Sequence, residues 1–376
     1  MARKTSKKSE ILFYRPSPGS FMVARCEPHG KNLDQAAAAL LRTARRWHGC
    51  FPVGEATKDQ VEAALPELSE YICKYGSVFG EKGLPCTNAE DAEWLKGLIG
   101  MELEFDNSNG GNLRCPADEK IRFFYPDALL DFIQTASFLA NLYAVSAGKK
   151  KFEEKCFEGT RRKTHEIELP LPSTLGYLHR AGQKTEWFIK GFDTGGRPLD
   201  HYRLNSFFEE ADPHTTYLRV SAETYHYEYA EVEPWKDEEA GEELEQRPCY
   251  ENVTARNADT EDSHLARAAS IWCCELLLSP HLSWKERGGF ELKGEDLITH
   301  FVRLLIREGV DLCPYCGRPL IKVKGQTLEY CNDGCRANDN KKWKRLLEKT
   351  GDPEAVKEAF PHIDPKRVDE EMNLYR

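Results

Sequence analysis

The chain has 376 residues, 40% of them hydrophobic, and a formal net charge of −10. That length can bury a large core in two or three domains, and the acidic balance excludes an all-over basic nucleic-acid coat. A membrane span needs about twenty apolar residues; the nearest run, 128–145, is broken by Asp131, Gln134 and Asn141, so a core helix, a cytoplasmic protein and no membrane partner are expected.

Residues 1–10 are basic and lead into no apolar signal-like run, which predicts a disordered tail. From there to 164 the pattern is mainly helical. Asn32 or Asp34 opens a helix that runs through Leu40 and Leu41 to Trp47 and ends at Gly49. Arg42, Arg45 and Arg46 share one face of it, which suits either solvent or a phosphate. The capping box Thr57–Gln60 starts a second helix, which Pro66 should kink or divide. A further box, Thr87–Glu90, starts a helix through Trp94, Leu95 and Leu98. Residues 101–105 alternate as a strand. Pro126 begins the most apolar helix, which stops near Gly148. In a reducing compartment the scattered cysteines Cys26, Cys50, Cys73, Cys86, Cys115 and Cys156 read as buried free thiols.

The texture changes at 165. Segments 165–169, 187–192, 217–221 and 225–229 are strand-like and rich in aromatics, so 165–230 is expected to be a small antiparallel sheet with irregular loops. His165, His179, His201, His214 and His226 fall here, yet none makes a helical metal-binding pair. Residues 231–262 read as an exposed acidic linker. Counted from 228, this stretch carries thirteen acidic and three basic side chains, a balance of −10. Asp262 or Ser263 then caps a helix ended by Pro280. Glu295 or Asp296 opens another, ended by Gly309, so 263–310 is a helical pair.

The most informative stretch follows, over 311–350. In Cys313-Pro-Tyr-Cys316-Gly and Cys331-Asn-Asp-Gly-Cys335, fourteen residues separate Cys316 from Cys331. Two close cysteine pairs flanking a hairpin-sized gap are what a four-thiolate Zn2+ site requires, because each pair sits on a tight knuckle and the gap lets the chain close a tetrahedron. Gly317 and Gly334 supply conformational freedom at the two knuckles. Between them, Ile321 and Val323 alternate with Lys322 and Lys324 and lead through a turn to Leu328 and Tyr330, which predicts a short hairpin. Residues 336–349 follow as a helix with Trp343, Leu346 and Leu347 on one face. Its last cysteine would lie at the helix N-terminus, where the dipole favours a thiolate.

Knuckle, hairpin, knuckle and basic helix make a treble-clef order. The run from Tyr330 to Arg336, with the basic helix after it, resembles small bacterial treble-clef fingers and is similar to the C-terminal finger of the CGNR family. The resemblance covers about a tenth of the chain. It implies that Cys313, Cys316, Cys331 and Cys335 are the four metal ligands. It also implies a transcriptional regulator with a helical, ligand-sensing-like domain ahead of the finger. Two departures stand out: Cys335 is followed by Arg-Ala-Asn where the family has Gly-Asn-Arg, and the second cysteine pair is one residue tighter. Beyond the finger, Asp352-Pro and Asp364-Pro each pair an N-cap with a first-turn proline, so 351–376 is a tail of two short helices.

The sum is an α+β chain: a mainly helical N-terminal region, a small antiparallel β region in the middle, a helical pair and a C-terminal zinc finger. Residues 313–350 carry nine basic and four acidic side chains, a balance of +5. With Trp343 on the buried face, Lys341, Lys342, Lys344, Arg345 and Lys349 lie on the other side, and Lys322 and Lys324 extend them. These residues could contact nucleic-acid phosphates. Three readings stay open: a DNA-binding regulatory protein, a structural zinc module that meets a protein partner, and an enzyme with its site in 165–235. No phosphate-cradling, dinucleotide-binding or nucleophile-elbow motif favours the last.

Overall fold

The computed structural model describes residues 10–15, 21–26, 33–43, 57–79, 83–85, 104–106, 112–114, 121–151, 160–163, 166–172, 174–175, 186–190, 200–209, 212–229, 250–257, 262–278, 282–284, 290–292, 297–323 and 329–374. Outside them lie the expected 87–100 helix, Arg45 and Arg46, Cys50, Cys86, Cys115 and Cys156, His165 and His179, residues 231–249 and Lys324.

The N-terminal region combines β1 (Glu10–Arg15), β2 (Phe21–Arg25), α1 (Leu33–Leu40), α2 (Lys58–Phe79), β3 (Gly83–Pro85), β4 (Glu104–Asp106), β5 (Asn112–Arg114), β6 (Ile121–Phe124) and α3 (Pro126–Ser146). The strands form two small antiparallel sheets, ordered β1-β2-β6 and β3-β5-β4. Thr57 caps α2 as its box predicts: its Oγ1 accepts the Gln60 N–H while Gln60 Oε1 accepts the Thr57 N–H. Pro66 does not divide α2. Its ring lies on the exposed side, and Val61, Ala64, Leu68 and Ile72 carry the buried stripe past it. Packing of that stripe offsets the missing hydrogen bond. Asp34 is not the cap of α1 but sits in its first turn, where its carboxylate turns aside to another helix.

α3 contributes more than a dozen buried residues, most of them to the main core. By length and composition it could cross a membrane, but most of it is buried inside the protein, Gln134 and Asn141 included. Asn141 donates to the Ser137 carbonyl and its own carbonyl accepts from Lys150, which satisfies a polar side chain in the core.

The middle region is a six-stranded antiparallel sheet: β7 (Arg161–Lys163), β8 (Glu166–Pro170), β9 (Glu186–Lys190), β10 (Asp200–Glu209), β11 (Asp212–Tyr229) and β12 (Tyr250–Asn257), in the order β7-β8-β11-β10-β9 with β12 also on β11. The two strand-like segments at 217–221 and 225–229 are parts of the single strand β11. It pairs with β8 over Tyr217–Ser221 and with β12 over Glu223–Tyr229. β12 places a strand inside the segment read as an acidic linker. Ile167, Leu169, Tyr202, Leu204, Leu218, Val220 and Ala222 are all buried at alternate positions, giving the sheet one apolar face.

That face joins one continuous core with α3, α4 (Asp262–Leu278) and α5 (Leu297–Glu308). A hairpin of β13 (Leu282–Trp284) and β14 (Phe290–Leu292) lies between the last two helices in sequence. α5 buries Leu297, Ile298, Phe301, Val302, Leu304 and Leu305 at helical spacing and ends at Gly309, whose φ is 71°. Asp34 of α1 ties it in place. The carboxylate meets His300 Nε2 and the Arg307 guanidinium, each at 2.6 Å. Burial opposes the Asp34 charge, but hydrogen bonds from His300 and Arg307 hold its pKa below the ordinary value. Beyond α5 come β15 (Asp311–Leu312), β16 (Pro319–Leu320), α6 (Asp333–Thr350), α7 (Pro353–Ala359) and α8 (Pro365–Leu374).

Candidate metal centre

The first knuckle is the turn between β15 and β16, which pair antiparallel as Asp311 with Leu320 and Leu312 with Pro319. Cys313 N–H donates to the Arg318 carbonyl and Gly317 N–H to the Cys313 carbonyl, both at 2.8 Å. Gly317 has φ of 67°, a conformation that a side chain would strain. The turn therefore holds Cys313 and Cys316 on one side of a tight loop.

The strand pairing is not the one expected from the sequence. Residues 321–323 form no strand, and the alternation of Ile321 and Val323 with Lys322 serves a different end. Both apolar side chains are buried in the main core, so they dock the finger on the body of the protein. Lys322 turns outward to Asp311 at 3.0 Å. Lys149, at the end of α3, adds bonds to the Val310 carbonyl and to Asp311. The two lysines hold the Asp311 carboxyl below its usual range, Lys322 first, against a smaller cost of burial.

The second knuckle is the start of α6. Asn332 is the N-cap: its Oδ1 accepts the Cys335 N–H at 2.6 Å. Its Nδ2 lies 3.3 Å from Cys331 Sγ and 3.4 Å from Cys335 Sγ, so one amide both caps the helix and donates to two sulfurs. Gly334 has no left-handed backbone, contrary to the expectation for it. It matters because a Cβ there would come within 2.9 Å of Asn332 Oδ1.

The four sulfurs lie within 4.8 Å of one another. Cys316 and Cys331 are 3.5 Å apart and Cys331 and Cys335 3.3 Å. A zinc ion with bonds of about 2.3 Å places tetrahedral sulfurs about 3.8 Å apart, whereas a disulfide requires about 2.0 Å. All four are free thiols, with Cys313 and Cys331 buried, Cys335 half-buried and Cys316 exposed. The set can therefore hold a metal ion such as zinc. Hydrogen bonds from the Cys316 and Cys331 thiols, and then main-chain N–H groups, hold the Cys313 thiol far below its usual pKa. The donors bear the complementary cost: Cys316 and Cys331 are both pushed up, first by the bond each shares with Cys313. A bound cation would take the place of the shared protons.

Two further groups support the site. Leu320 and Tyr330 pack on Cys313 and Cys331 in a small core of their own. Tyr330 also donates its hydroxyl at 2.8 Å to Asp339, a carboxylate only 2% exposed, which His362 meets at 2.7 Å from the tail. Asn332, Asp339 and His362 escaped the sequence reading. An asparagine three residues before a cysteine at a helix start is a legible N-cap, but nothing local announces a contact between residues 339 and 362.

The basic residues are distributed unevenly. Trp343 and Leu347 are buried as expected, against Val356, Ile363 and Val368 of the tail. Lys341, Lys342, Arg345 and Lys349 fall on one exposed stripe of α6, with Lys342 Nζ 4.5 Å from the centre of the Tyr315 ring. Lys344 instead turns to Glu371 of α8 at 2.5 Å, and Lys322 is held by Asp311. Of the middle-region histidines, His201 pairs in register with Glu223 and His226 with Thr254. Among the described residues, no other His, Cys, Asp and Glu cluster is placed to hold a metal. Cys26 is a buried free thiol as expected, its pKa pushed up to about 12 chiefly by burial. A cleft of about 730 Å³ separates α2 from the second knuckle; Arg42 and Lys74 in its lining are offset by Glu67, Glu70 and Asp333.

The site thus defines a chain with a four-cysteine centre that can hold a metal, carried on an α+β body. No family model, curated protein or solved structure matches it.

Proposed function

We propose that the protein is a zinc-dependent, nucleic-acid-binding regulatory protein whose C-terminal treble-clef finger, similar to CGNR-type fingers, presents a basic helix to the phosphate backbone. The observation that carries this reading is the exposed stripe of Lys341, Lys342, Arg345 and Lys349 on α6. The metal fixes the N-terminus of that helix, so the stripe is held rigidly relative to the body. Such a surface neutralises phosphates without reading bases. Lys344 lies beside this stripe, paired with Glu371.

The test is the salt dependence of binding to unrelated duplex DNA. Replacing Lys341, Lys342 and Arg345 by Ala weakens binding for all sequences alike and lowers the log–log salt slope by about 2.7, at about 0.9 per phosphate. An unchanged slope removes the contact from this helix.

A second reading is a structural zinc module in a protein-interaction protein. Burial of Ile321 and Val323 in the main core favours it, since a docked finger serves as a staple. Under that reading, loss of zinc lowers stability while the triple variant behaves as wild type in every binding assay.

A further inference from the structure

The sequence separates the finger, 311–350, from a helical tail, but the contacts do not. Asp339 is almost completely buried, and a buried carboxylate that loses a partner is strongly destabilising. Its two partners come from opposite directions. Tyr330 belongs to the segment that immediately precedes the ligand Cys331. His362 belongs to the turn between α7 and α8. Asp339 itself lies on α6, one helical turn beyond the ligand Cys335. The tail is also seated on the far end of α6: Val356, Ile363 and Val368 cover Trp343 and Leu347, Arg367 lies over the Trp343 ring, and Glu371 holds Lys344. α7 has seven residues and α8 ten, too short to be stable as isolated helices. Their buried apolar side chains rest on α6, a surface whose position depends on the metal ligands at both ends of the second knuckle.

We propose that residues 351–374 and the four-cysteine centre form one coupled unit, joined through Asp339: zinc binding latches the tail, and zinc loss releases it and uncovers the apolar face of Trp343 and Leu347. This rests on the reading that the cysteines bind zinc. Tyr330 and Asp339 then act as positioning residues around the metal, in the way hydrogen-bonded outer partners orient ligands elsewhere. Thermodynamic reciprocity gives the coupling a second face. If zinc stabilises tail docking by some factor, a docked tail strengthens zinc binding by the same factor, so a variant that undocks the tail must weaken zinc.

The experiment uses the full chain and two readouts. Hydrogen exchange of amides 353–374 is followed with zinc bound and after chelation, and zinc affinity is measured by competition with a chromophoric chelator. The expected result is slow tail exchange with zinc, fast exchange without it, and a zinc Kd raised about tenfold by His362→Ala, within the range for outer partners. Asp339 keeps its bond from Tyr330 in this variant, and circular dichroism of the zinc-loaded chain checks that α6 is retained; His362→Gln, which keeps an N–H donor, restores part of the affinity. If the chain binds no zinc, the metal reading and the coupling fall together. If it binds zinc but tail exchange is unchanged by chelation, or His362→Ala leaves the Kd at the wild-type value, the coupling alone is wrong.

Discussion

Asn332 performs two tasks with one amide, and two substitutions separate them. Asn332→Ala removes the N-cap acceptor of α6 and both N–H donors to sulfur. Loss of an N-cap costs about 1 kcal/mol of helix stability. Loss of an outer hydrogen-bond partner weakens metal binding about 10- to 100-fold. Asn332→Asp keeps the cap, since Asp caps as well as Asn. It discards the donors and adds an anion beside Cys331 and Cys335. Asn332→Ala should therefore lose both stability and affinity, whereas Asn332→Asp should retain the apo-protein's helix start but bind zinc at least as weakly as Asn332→Ala. Gly334→Ala acts on the same group, because its Cβ would come within 2.9 Å of Asn332 Oδ1; it should lower affinity without removing any polar atom. The assays are chelator competition for zinc and circular dichroism of the apo and loaded chains. Wild-type zinc affinity in Asn332→Asp would refute the donor role assigned to this amide.

Trp343→Ala empties the centre of the α6–tail contact and should cost about 3–5 kcal/mol of local stability, read as tail exchange in the zinc-loaded protein. The Asp34 contact predicts a pH effect of defined sign. Its folded pKa lies below 3.8, so its stabilisation is complete above that value and is lost as the pH falls through the folded pKa. Asp34→Asn should thus cost roughly 1 kcal/mol at pH 7, and the gap from wild type in denaturant unfolding should close below pH 3.8.

Much of this architecture was written in local patterns. α5 shows its buried stripe in sequence, Gly309 marks its end, and Asp352 and Asp364 cap the tail helices with N–H partners at Glu354 and Lys366. The four cysteines announce themselves because ligand spacing is a local property. β10 was missed because Asp200, Asn205 and Ser206 have low strand propensity; pairing with β9 on one edge and β11 on the other overrides it. The hairpin expected from Ile321 and Val323 was misread for a related reason. Alternation shows which side chains are to be buried, but not whether the burying surface is a partner strand or, as here, the body of the protein. The role of Asp339 was illegible because its partners lie nine and twenty-three residues away, on opposite sides of it.

We propose above that Cys313, Cys316, Cys331 and Cys335 bind a zinc ion on which the C-terminal unit depends. Structural zinc sites contribute roughly 10–16 kcal/mol at neutral pH, so binding and local folding cannot be separated. The direct measurement is the metal content of protein expressed with zinc available, compared with that of Cys331→Ala. The expected result is one equivalent of zinc in the wild type, none held tightly by the variant, and in the variant fast hydrogen exchange across 329–374 with α3 still protected. Metal-free wild-type protein with protected amides in 329–374 would contradict it.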